Sequence, residues 1–168
     1  MSHDINKIVD SVVKEIMSES SAPKKSGGKG IKKMTLTASR EIIRVVQTKA
    51  ADMGVKTVVA ISDGGGNLIA LERSDDAFIA SLDIAANKAF TVVSLKMPTS
   101  RLASLASPGG SLYGIQFTNN GRIVVFGGGE PLISGGEVIG GLGVSGGTAE
   151  QDTFLGEYGR KYFEEHFA

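Results

Sequence analysis

Proton transfer is the chemistry this sequence places within reach, and Asp83, Lys88 and Glu150 are the side chains that could perform it. Asp83 and Lys88 stand five residues apart in "SLDIAANKAF", a spacing that does not put both on one face of a single helical turn. Glu150 and Asp152 follow Gly146 and Gly147 in "GGTAEQD", where they could face a cleft together with side chains of the preceding helical region. Other chemistries are poorly supplied. The chain has no cysteine, which excludes disulfides, thiolate catalysis and cysteine-held metal centres. Its two histidines, His3 and His166, lie near the termini, so neither a Ser-His-Asp triad nor a multi-histidine metal site is expected inside the core. Asp63 and Arg73, around "DGGGN", read as structural, and that glycine turn lacks the following helix and lysine of a phosphate loop.

The series Gly141-x-Gly143-x-x-Gly146 raises a dinucleotide fingerprint, which requires a βαβ unit and an acidic ribose ligand about 20 residues on. After Gly146 the sequence offers one helical stretch and no strand-like run, and 14 of the 39 residues from Gly109 to Gly147 are glycine, so the pattern arises cheaply. The preferred reading is a strand turning tightly into a helix that Thr148 and Gln151 close with a capping box. Glu150 and Asp152 in its first turn suit the helix dipole and discourage an anionic ligand there.

These residues need elements to hold them. At 168 residues, 41% apolar and 21% charged, the chain is long enough for one globular domain with an appendage. "MTLTASREIIRVVQTKAADMGV" predicts a helix capped by Thr35 or Thr37, with Ile42, Ile43, Val46, Ala50 and Met53 on one face and Gly54 closing it. "KTVVAISDGGGNLIALER" predicts a β-hairpin, residues 77–90 a helix running on toward Ser94, and residues 100–106 a short helix. The last third predicts strand-like runs between glycine turns, around Tyr113 to Thr118, at "RIVVFGG", at "PLIS" and at "EVIGGLGVSG", read together as a three-strand glycine-rich meander, and then a closing helix over residues 149–163. The order predicts an α+β fold around a five-stranded antiparallel sheet with flanking helices.

In front of this core, Ile5, Ile8, Val9, Val12, Val13, Ile16 and Met17 trace an apolar helical stripe, with Lys7, Asp10, Lys14 and Glu15 opposite. "SESSAPKKSGGKGIKK" follows with a linker composition. The division expected is therefore a tethered amphipathic helix at 1–17, a flexible linker at 18–33 and a core at 34–168. A helix of about four turns is marginal alone; it needs a surface, its own body or a partner's groove. The net charge is zero, but residues 34–168 carry eleven basic and fourteen acidic side chains, which argues against nucleic acid. The near charge balance of the helix argues against a membrane, and no secretory leader is read, so a cytoplasmic protein is expected.

Taken together, "VVAISDGGGNLIALERSDDA", "SLDIAANKAFTVVSLKMPT", "RIVVFGGGEPLISGGEVIGGLGVSGGTAEQD" and the closing helix resemble the haem-binding GlcG/HbpS family, which includes the C-terminal domain of the PduO protein of propanediol microcompartments. The resemblance covers residues 34–165 and implies a profilin-like fold, dimers to octamers, and binding of haem or a related tetrapyrrole, cobalamin included. The positions that match its motifs are Asp83, Lys88, Gly146, Gly147, Glu150, Gln151 and Asp152, which it marks as the cofactor-binding cleft. In the microcompartment branch the resemblance also implies an axial histidine near the start of the first core helix, where this sequence has Ser39 and Arg40. Tyr113, Met53, Met97, Lys88, or a neighbouring subunit's copy of His166 would have to replace it. Residues 5–17 resemble encapsulation peptides that carry cargo into bacterial microcompartments, which implies a shell or cargo protein as partner. Two other functions fit the same residues: an enzyme acting on an aldehyde or 2-hydroxy acid, and a non-catalytic oligomeric scaffold.

Overall fold

The computed structural model describes residues 30–168; the helix expected at 1–17 and most of the linker lie outside the described residues. Helix α1, Leu36–Asp52, begins where the Thr35 hydroxyl accepts the Ala38 N–H (3.2 Å) and is followed by Gly54 at a positive φ of 70°. It buries Ala38, Ile42, Ile43, Val46 and Ala50, the apolar face written in its sequence. Strands β1 (Val58–Asp63) and β2 (Leu68–Arg73) form the hairpin. At its turn the Asp63 carboxylate accepts the N–H groups of Asn67 (2.9 Å) and Gly65 (2.8 Å), and the Asn67 bond above all holds it below the usual carboxylate range. Helix α2 spans Ala80–Leu95 and ends on Lys96 in the left-handed region; α3, Thr99–Ala106, follows Pro98. Strands β3 (Gly129–Ser134) and β4 (Glu137–Ser145) lead into α4, Ala149–His166.

The sheet has four strands in the order β2-β1-β4-β3, all antiparallel, instead of the five expected. The missing strand is the "RIVVFGG" run. Ile123 and Val124 are buried as a strand's would be, but the Val124 N–H donates to the Thr91 hydroxyl of α2 (3.0 Å) rather than to a neighbouring strand. Residues around Tyr113 to Thr118 also depart from the strand reading, forming a short 3₁₀ turn, Ile115–Phe117.

The sheet divides the molecule into layers. On one side α1 and α4 close over Val59, Ile61, Leu132, Leu142 and Val144. On the other, α2 packs through Ala85 and Ala89 onto Val58 and Ala60. Strand β1 is thus buried on both faces, which explains its unbroken apolar run. Strand β4 meets α2 at glycines: a Cβ on Gly141 or Gly143 would run into the carbonyl oxygens of Ala89 and Ala85, respectively. The glycines of "GGLGVSGG" therefore bring a helix close to a strand, and the capping box of α4 follows as expected, with Thr148 and Gln151 bonded reciprocally.

The tail of the expected linker belongs to this body. Ile31 donates its N–H to the Phe167 carbonyl (2.8 Å) and packs against the main core. Among the described residues, no helix is long and apolar enough to cross a membrane.

Candidate functional site

Lys88 lies one turn along α2 from Ala85, on the face that α2 presents to the sheet, and none of its surface is exposed. Its Nζ donates to the Val144 carbonyl at the end of β4 (2.6 Å) and to Asp152 Oδ2 in the first turn of α4 (2.9 Å). The Phe126 ring lies across it, 4.8 Å from Nζ to centroid. Asp152 is itself buried, and its second oxygen accepts the Gly147 N–H (2.9 Å). Burial pulls the Lys88 ammonium below the usual lysine range, and the Asp152 charge opposes that shift. No side chain fits beside the pair at Gly128, where φ is 112° and a Cβ would stand 2.7 Å from Lys88 Nζ and 2.8 Å from Asp152 Cβ.

This pair fixes the loop that forms one wall of a shallow hollow of about 270 Å³. Gly146, Gly147 and Gln151 line it, together with Met53, Val55, Lys56, Asp76 and Phe78. Gly146 has a φ of 152°, and its missing side chain lets the loop lie against the Lys56 carbonyl. The hollow thus offers a thioether, an aromatic ring and a valine beside one cation and one anion.

The structure brings five of the seven motif positions together, in two connected groups: Lys88 with Asp152 inside, and Gly146, Gly147 and Gln151 at the hollow. Asp83 and Glu150 are exposed, each in the first turn of its helix. The backbone N–H at the start of α4 holds the Glu150 carboxyl below the usual range. Lys88 is enclosed and has no open face for an incoming ligand. Of the other candidate haem ligands, Met53 lines the hollow, Tyr113 stands exposed, and His166 is exposed with Nδ1 2.8 Å from the Tyr162 carbonyl oxygen. Ser39 is buried and donates to the Thr35 carbonyl (2.7 Å). Among the described residues, no cluster of three or more His, Asp or Glu could hold a metal ion.

Sequence reasoning missed Phe126, and it missed Lys56 and Phe78 in the lining of the hollow. It also missed Glu130 of β3, which is buried against Arg160 of α4 (Oε2 to Nε, 3.3 Å). No local spacing signals any of these; each depends on two elements meeting in space.

Comparison with known proteins follows the same boundaries. Residues 34–160 match the family described as haem degrading protein HbpS-like. The chain is 46% identical over 132 residues to an uncharacterized 15.0 kDa protein in the dhaT-dhaS intergenic region of Citrobacter freundii, covering 79% of this chain and 93% of that protein. It is 38% identical over 117 residues to the corrinoid adenosyltransferase PduO of Citrobacter freundii, covering 70% of this chain but 35% of PduO, so the likeness spans about a third of that enzyme. The crystal structure of a PduOC:heme complex superposes with a TM-score of 0.74 at 34% identity, covering 77% of this chain and 94% of that one.

Proposed function

This chain belongs to the HbpS-like family, and from that premise we propose that its core binds haem or a related tetrapyrrole such as cobalamin as an oligomeric cargo protein of a bacterial microcompartment, delivered there by residues 5–17. The observation that carries the binding half is the convergence of Met53, Val55, Phe78 and Lys56 on the Gly146–Gly147 loop. A tetrapyrrole is a flat apolar ring with carboxylate or amide side arms, and this donor set suits it: Phe78 and Val55 for the ring, Lys56 and Gln151 for the arms, and the soft Met53 thioether among the lining residues. At about 270 Å³ the hollow falls below the roughly 300–1,000 Å³ of clefts that enclose a small ligand. It therefore seats one edge of the ring, and a second copy of the chain would cover the remainder.

Haem, when bound, would supply a redox-active iron. The residues of this chain supply the apolar wall, the cation for a carboxylate arm, and the rigid loop anchored by Asp152. The delivery half rests on the apolar stripe from Ile5 to Met17, together with the PduO likeness.

Titration of the purified protein with hemin should give a saturable Soret band, and Met53→Ala should weaken binding by about tenfold through lost apolar and thioether contact. If neither hemin nor cobalamin changes its spectrum on addition, the binding half is lost. Residues 1–20 fused to a fluorescent reporter should give puncta in cells that make shells; diffuse fluorescence would remove the delivery half.

A further inference from the structure

Helix α4 carries a row of rings of which Phe154, Tyr158 and His166 stand exposed, while Tyr162 is half-buried against the core. Phe154, Tyr158, Tyr162 and His166 follow one another at four-residue intervals, the spacing of a single helix ridge. Phe154 is 47% and Tyr158 38% exposed, and Tyr162 stacks on His166 with centroids 4.0 Å apart. Helix α1 braces the row without covering it. Lys49 Nζ lies 5.9 Å and 5.8 Å from the Phe154 and Tyr158 ring centroids, and Glu41 accepts a hydrogen bond from the Tyr162 hydroxyl. Twelve residues of helix make the row about 18 Å long.

The described chain begins at the His166 end of that row. Ile31 bonds to Phe167, and Gly30 lies against Ala168, so residues 1–29 join the body at the C-terminal end of α4. In the preceding sequence Ile5, Val9, Val13 and Met17 recur at the same four-residue interval. As a helix they form a second row of the same length, about 18 Å. Residues 18–29 have a root-mean-square reach of about 19 Å, enough to bring Met17 to the His166 end.

We infer that the row Phe154, Tyr158, Tyr162 and His166 is the docking surface for residues 5–17 of the same chain. The segment crosses α4 at the middle of the row, with Val9 and Val13 against Tyr158 and Tyr162. Two such ridges align when the helix axes cross near about 50°. Lys7, Asp10, Lys14 and Glu15 then face water. A short tether holds the segment at an effective concentration in the millimolar range, so weak apolar contact is enough to populate the docked form. Docking occupies the stripe that a shell or cargo partner would need, so delivery requires the partner to displace it. The inference does not depend on haem or on any shell, and its test is separate from theirs.

The chain has no cysteine, so Val9→Cys with Tyr158→Cys creates a single thiol pair. Under mild oxidation of mixed ¹⁵N-labelled and unlabelled chains after subunit exchange, a disulfide within one chain is expected. The pairing of Val9→Cys with Ser94→Cys, on the opposite helix layer, should yield at least tenfold less. Equal yields from the two pairs overturn the inference, and a disulfide that joins labelled to unlabelled chains assigns the row to a second copy and overturns it too. In a second measurement, Phe154→Ser with Tyr158→Ser should speed tryptic cleavage after Lys7 and Lys14 several-fold while leaving Lys24 and Lys25 unchanged. Identical cleavage in the variant and the parent is incompatible with the docked segment.

Discussion

A lysine with no exposed surface is tolerated only when its charge is answered, and Lys88 shows how narrow that condition is. Two of its three N–H bonds are taken by Val144 and Asp152, and the Phe126 ring lies over the ammonium. Removing one partner leaves the other buried and uncompensated, a loss of about 3–5 kcal/mol. Asp152→Ala should therefore lower the urea midpoint sharply. Lys88→Met combined with Asp152→Leu should recover most of that loss, because two apolar groups replace two desolvated charges, although the Gly147 N–H stays without its acceptor. A double variant as unstable as Asp152→Ala would show that the pair contributes more than mutual neutralisation. Both residues stood in recognisable sequence motifs, but their partnership did not, since 64 positions separate them and no periodicity reaches that far.

Among the elements, those whose signals are local were legible in the sequence. The Thr35 cap, the Gly54 terminus, the "DGGGN" turn and the Thr148–Gln151 box each act within a few residues, and each element they bound lies where the sequence places it. The run at residues 122–128 has a strand's composition and a strand's burial, yet its backbone bonds go to Thr91, so composition alone misassigned it. Its misreading also misstated the sheet by one strand. The glycines of β4 were legible as a cluster but not as a contact, because only the approach of α2 gives them a purpose. Gly143→Ala forces a methyl group against the Ala85 carbonyl and to within 2.8 Å of the Ala89 nitrogen, both backbone atoms that cannot swing aside. The expected cost is about 1–3 kcal/mol or more, read as a lower melting temperature, and a change within about 0.5 kcal/mol would mean that α2 can shift away from β4.

For the whole molecule, the joint between the β3 edge of the sheet and the α4 layer should make stability depend on pH. Glu130 enters that joint from β3, almost fully buried, and burial raises its pKa to about 7; Arg160 pulls it down, while Glu157 and Glu164 push it further up. Arg160 is also shared with Glu164 (2.5 Å), which weakens its hold on Glu130. The folded state thus binds this proton more tightly than the unfolded chain, whose glutamate titrates near 4.5. Stability from the group is fully present below about pH 4.5 and is lost as pH rises through about 7, by roughly 3 kcal/mol in total. Calorimetry at pH 5.5 and pH 8 should show a lower melting temperature at the higher pH, by several degrees for a chain of this size. Other groups titrate over the same interval, so the decisive quantity is the difference between the parent and Glu130→Gln, which keeps the shape and cannot ionise. That variant should lose little or nothing at pH 5.5 and gain relative to the parent at pH 8. Parallel melting curves for the two proteins across that range would mean that Glu130 stays ionised in the folded state and that Arg160 alone compensates its burial.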